Sequence, residues 1–142
     1  MDFEGRAVAT AHFAEPATVA AIGTVRRRVI AFAEEHGMAY AQRLPVAAAL
    51  SEAVTNAVRH AYPAHETGDV VVDVATDGES LTVRVADRGP GGETARPGLG
   101  VQLMTKLADR LELAAGGDGI GTVALMEFAM GVEEPHAAPR GR

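Results

Sequence analysis

Asp77-Gly78 divides two β-branched apolar runs, and no other feature of the chain constrains its fold as tightly. Asp69 to Thr76 is Val-rich, and Ser80 to Ala86 alternates Leu81, Val83 and Val85 with Thr82 and Arg84. An Asp-Gly pair supplies the left-handed backbone of a tight hairpin, and period-two alternation marks strands with one buried face. Leu111 to Ala115, a Gly-Gly-Asp-Gly turn and Ile120 to Met130 predict a second hairpin. Ala7 to Phe13 predicts a first strand. Glu15-Pro16 is expected to open a helix that Gly37 closes, since proline is tolerated in a first helical turn. Arg43 to Tyr62 predicts a second helix stopped by Pro63, and Val101 to Arg110 a short third. The order β-α-α-β-β-α-β-β implies an α/β chain of the α+β two-layer type, a mixed, mostly antiparallel sheet with helices on one face.

Composition narrows the function classes. The 142 residues suit one domain, expected over 7–130, with ends at 1–6 and 131–142 whose Pro, Gly, Ala and charge predict flexibility. A chain of this length buries a core without covalent staples. Absence of Cys excludes disulfides, thiolate metal sites and a Cys nucleophile. The net charge of −6 argues against nonspecific nucleic-acid binding. No apolar run approaches the roughly 18 residues of a membrane helix. The acidic start Met1-Asp2-Phe3-Glu4-Gly5 lacks a signal-peptide pattern, so a soluble, cytoplasmic domain is expected. Lys106 is the sole lysine and no GxxxxGK occurs, which excludes a P-loop. His12, His36, His65 and His136 have no metal-ligand spacing.

Two polar features stand out from this scaffold. At 100° per residue with Glu52 at zero, Ala47, Leu50, Val54, Ala57, Val58 and Ala61 fall between about 140° and 240°, a buried stripe. Glu52, Asn56, Arg59 and His60 fall opposite, and Glu52 and Asn56 are i,i+4 neighbours. A solvated helix face would look the same. The second feature is glycine-rich: Asp87-Arg88-Gly89-Pro90-Gly91-Gly92 leaves a strand, and Gly98-Leu99-Gly100 opens a helix. Glycines let backbone approach a ligand, a helix N-terminus offers N–H groups to phosphate, and an Asp accepts from an amino group such as adenine's. An ordinary Gly- and Pro-rich turn is the alternative. The Arg26-Arg27-Arg28 run spreads around a helix and reads as solvated or as contact for an acidic partner.

The two features together, in this order, carry a resemblance. Glu52 to Tyr62 (EAVTNAVRHAY) resembles the N box of the GHKL (Bergerat-fold) ATPases; Asp87-x-Gly89-x-Gly91 resembles their first glycine box, Arg96-Pro97-Gly98-Leu99-Gly100 the second, and Gly121-Thr122 the terminal Gly-Thr element. The form SEAVTNAVRHAY in a chain this short is most similar to the anti-sigma-factor serine/threonine kinases, over roughly residues 8–130. The resemblance implies an ATP-binding protein kinase that uses Mg²⁺, phosphorylates an anti-anti-sigma partner and sequesters a sigma factor, in a family that is often a homodimer. It further implies Asn56 as the Mg²⁺ ligand, Glu52 as base on the attacking hydroxyl, and Asp87 as reader of the adenine amino group, helped by Thr122 through its hydroxyl or a water. Gly89 and Gly91 would let the base sit close, Gly98 and Gly100 would offer backbone N–H groups to phosphate, and Arg96 matches a lid arginine. His60 is then mainly part of the box's structure.

Only Gly92 to Pro97 separates the two glycine boxes, a shorter lid than the family's, and a clipped lid is expected to close poorly over ATP. That departure favours one alternative, a non-catalytic partner-switching module on the same fold. The catalytic domain of a two-component histidine kinase is another, and would need a partner chain for its phospho-accepting histidine.

Overall fold

The computed structural model describes residues 7–61, 68–89, 99–116 and 120–131. The elements follow the expected order: β1 (Ala9–Pro16), α1 (Val19–Glu35), α2 (Tyr40–Asn56), a π-helical turn (Ala57–Ala61), β2 (Asp69–Thr76), β3 (Ser80–Asp87), α3 (Leu99–Leu107), β4 (Arg110–Ala115) and β5 (Thr122–Ala129). The expected end at 1–6 and, apart from Gly131, the expected end at 131–142 lie outside the described residues.

The five strands form one sheet in the order β1-β2-β3-β5-β4. All four pairings are antiparallel, which corrects the expectation of a mixed sheet. The connections explain it. Two helices between β1 and β2 return the chain so that β2 runs against β1, and α3 with β4 does the same between β3 and β5. The Asp77-Gly78 turn is built as the sequence predicts. Gly78 has φ +95°, Thr76 Oγ1 accepts from its N–H, and Asp77 Oδ1 accepts from the N–H groups of Glu79 and Ser80.

Several boundaries differ from the sequence reading: β1 is Ala9–Pro16 rather than Ala7 to Phe13, α3 is Leu99–Leu107 rather than Val101 to Arg110, and β5 is Thr122–Ala129 rather than Ile120 to Met130. Pro16 ends β1, paired with Asp69, rather than opening a helix. β1 is an edge strand, where a residue without N–H costs no ladder bond. The second helix begins at Tyr40, before Arg43, with Pro45 inside it, and regular α-geometry stops at Asn56. The chain tightens nowhere at that point but widens into the π-helical turn, a form that recurs at functional sites.

Helices cover one face of the sheet. Val72 and Val74 of β2, Leu81 and Val83 of β3 and Met126 of β5 are fully buried beneath Val25 and Val29 of α1, Leu50 and Val54 of α2 and Met104 of α3. Burial of each such side chain contributes about 1.5–3 kcal/mol. Met104, Met126 and Met130 pack in this core, as expected. The three arginines of α1 point three ways: Arg26 donates to Ser51, Arg27 to Thr24, and Arg28 pairs with Glu15 while lying 4.1 Å over the Phe13 ring. No helix among the described residues is long and apolar enough to cross a membrane.

The buried arc of α2 needs a correction. Val46, Ala49 and Ala53 are buried along with Leu50, Val54 and Ala57, whereas Ala47 and Val58 are half-buried. The arc therefore runs from about 60° to 200°, turned toward Glu52 and Asn56. The cause is α2's position between α1 and α3, which covers flanks that a helix lying on a sheet alone would expose. The side chain of Ala61 lies outside the described residues.

Candidate functional site

That rotation places the polar pair at the rim of the buried face rather than opposite it. Glu52 and Asn56, one turn apart near the C-terminal end of α2, are both half-buried, and they face the first turn of α3. Gly100 is the point of contact. A Cβ built on it would lie 2.7 Å from Glu52 Oε1 and 3.9 Å from Asn56 Oδ1. A carboxylate oxygen and an amide oxygen thus converge on the N-terminal turn of a nine-residue helix, where backbone N–H groups lack intrahelical partners. Hard oxygen donors of this kind suit Mg²⁺, which takes few protein ligands and completes its shell with water and phosphate oxygens.

The second cluster gathers where β3 meets β5. Asp87 ends β3 opposite Thr122 and is 8% exposed. Its Oδ1 accepts the Gly89 N–H at 3.0 Å, and the Thr122 backbone N–H also bonds its carboxylate. Burial pushes the carboxyl above the usual carboxylate range, and the two backbone N–H groups pull it partly back. A carboxylate offers about four acceptor positions, so two remain for a ligand's amino group.

Two of these residues also hold the carboxylate itself. The contact the structure gives Thr122 is through its backbone N–H, and Gly89 acts through its own N–H on Asp87. Gly121, read in the sequence only as Thr122's companion, has a reason of its own. It has φ +80°, and a Cβ there would stand 1.9 Å from the Asp87 carbonyl oxygen and 2.7 Å from Arg88 Cα. Only glycine lets the start of β5 run this close beneath the end of β3.

The π-helical turn after Asn56 packs against β3, so α2 links the two clusters. Gly91, Arg96, Gly98 and the short lid Gly92 to Pro97 lie outside the described residues, as does the side chain of His60. His12 pairs with Asp73 on the sheet, away from both clusters, and His36 Nδ1 lies 2.8 Å from the Phe32 carbonyl oxygen.

Comparison with known proteins shows the family of the chain. Residues 15–128 match the histidine kinase-like ATPase domain. The serine-protein kinase RsbW of Bacillus licheniformis is 32% identical over 132 residues, covering 80% of this chain and 81% of the relative. That of Bacillus subtilis (strain 168) is 28% identical over 140 residues, covering 85% and 86%. The crystal structure of the RsbU and RsbW domains of Rv1364c from Mycobacterium tuberculosis superimposes with a TM-score of 0.68 at 26% identity, over 89% of this chain and 34% of that longer one. This chain belongs to the histidine kinase-like ATPase family and groups within it with the RsbW serine-protein kinases.

Proposed function

We propose that this chain binds Mg·ATP between α2, α3 and the β3–β5 end of the sheet and transfers the γ-phosphoryl group to a Ser or Thr of a small anti-anti-sigma-type protein. When that partner is absent it sequesters a sigma factor. The observation that carries this reading is the convergence of Glu52 Oε1 and Asn56 Oδ1 on the bare Gly100. Its relatives named as serine-protein kinases support the same class of reaction.

In this reading each residue has one task. The Asp87 carboxylate accepts from the adenine amino group, held for it by Gly89 and Thr122, and Gly91 leaves space for the base. Gly98 and Gly100 offer backbone N–H groups to the phosphates, and Arg96 reaches them with a planar guanidinium. The Asn56 amide oxygen holds Mg²⁺, which when bound neutralises phosphate charge. Glu52 takes the proton of the acceptor hydroxyl as its oxygen attacks the γ-phosphorus and the bond to the ADP oxygen breaks. Positioning and charge neutralisation supply most of the catalysis.

A transfer assay with γ-labelled ATP and a purified anti-anti-sigma-type protein tests this. Glu52→Ala is expected to keep Mg·ATP and lose transfer. Loss of nucleotide by a folded Glu52→Ala protein contradicts the assignment of the base. Nucleotide binding without transfer in the unsubstituted chain favours the alternative that the six-residue lid suggests, a partner-switching module without catalysis.

A further inference from the structure

The contact at Gly100 reaches further than phosphate binding. A glycine in the first turn of a helix is ordinarily explained by ligand approach or by a turn. Gly100 has no positive φ, so its backbone does not demand glycine. The nearest atom to its missing side chain is Glu52 Oε1, at 2.7 Å, closer than a real Cβ tolerates. The next neighbours are Glu52 Cδ at 3.8 Å and Asn56 Oδ1 at 3.9 Å, so the space belongs to the carboxylate.

We infer that Gly100 is a positioning residue for Glu52: its absent side chain is the clearance that lets the carboxylate rest against the first turn of α3. This inference rests on the reading of Glu52 as the base. The obstructed atom is the far end of a flexible side chain, not backbone. An alanine at position 100 is therefore accommodated by a swing of the Glu52 carboxylate, and the fold survives. What changes is where the proton acceptor sits. Misplacing a reacting group by about 1 Å costs on the order of a hundredfold in rate.

Gly100→Ala tests this, read first by the ¹³C resonance of the Glu52 carboxyl, assigned by its absence in Glu52→Gln. The expected result is a displaced Glu52 resonance with a Tm within about 3 °C of the parent, since alanine is the better helix former. Transfer is expected to fall about a hundredfold, while affinity for Mg·ADP falls by no more than a few fold. An unmoved Glu52 resonance overturns the inference. So does a collapse of Mg·ADP affinity without that movement, which would leave Gly100 a role in phosphate approach alone. The resonance reports the carboxylate whether or not it is the base. A displaced resonance with undiminished transfer would contradict the base assignment and leave the clearance intact.

Discussion

Asp87 shows how a single buried carboxylate carries a pH signature. Its carboxyl is pushed up by burial, so the native state keeps a proton over a range where the unfolded chain has released it. By linkage this part of the stability is fully present below the ordinary carboxylate value and is lost as pH rises through the raised one. Urea unfolding at several pH values, from about pH 4 upward, should show the difference between the parent and Asp87→Asn shrinking in that direction. A difference growing with pH would contradict the burial argument. The adenine recognition proposed for Asp87 would run the opposite way, because the ionised carboxylate accepts two further hydrogen bonds and the protonated acid fewer. Mg·ATP affinity should weaken on acidification at a higher pH than an unperturbed Asp would give, and the Asn variant should lose that dependence. Gly121 is the companion case. Alanine there combines a left-handed φ with a backbone collision that no rotamer relieves. Gly121→Ala should cost about 2–4 kcal/mol in chemical denaturation and reduce nucleotide binding by disturbing Asp87.

The elements differ in how openly their sequences declare them. β2 was legible in full and β3 to within a residue, because Asp-Gly and strict alternation are local signals that tertiary contacts reinforce. Gly37 ends α1 as read, with the His36 N–H bonded to the Ala33 carbonyl and the Gly37 N–H to that of Glu34. Pro16 misled, since proline serves equally in a helix's first turn and on a sheet edge, and only the pairing with Asp69 decides. The N-box pair was legible as an i,i+4 stripe, but its place at the rim of the core was not. That depends on α3 packing beside α2, a non-local contact that no helical wheel contains. The tight approach at Gly100 is hidden for the same reason. Two substitutions test the account of the elements. Leu50→Ala, beneath the polar rim of α2, should cost about 2–5 kcal/mol. Thr18, the N-cap of α1, makes no side-chain capping bond and is followed by a first turn without an acid. Thr18→Asp should stabilise the protein by about 0.5–1 kcal/mol in thermal or urea unfolding.

At the scale of the whole molecule, one antiparallel sheet carries the Asp87 cluster on β3 and β5, and the helical layer carries the Glu52–Asn56 cluster on α2 and α3. Among the described residues, the packing of α2 against α3 and of its π-helical turn against β3 ties one to the other. A ligand bridging both clusters should therefore stabilise the fold as a unit, by about 2.7 kcal/mol at a hundred times its Kd. The measurement that tests the central claim most directly is a calorimetric titration of Mg·ATP into the protein and into Asn56→Ala. Saturable binding to the parent that the variant loses or loses in large part, with both proteins folded, is the predicted result. Absence of binding to the folded parent, or equal binding by the two, would contradict the assignment of this rim as the nucleotide site.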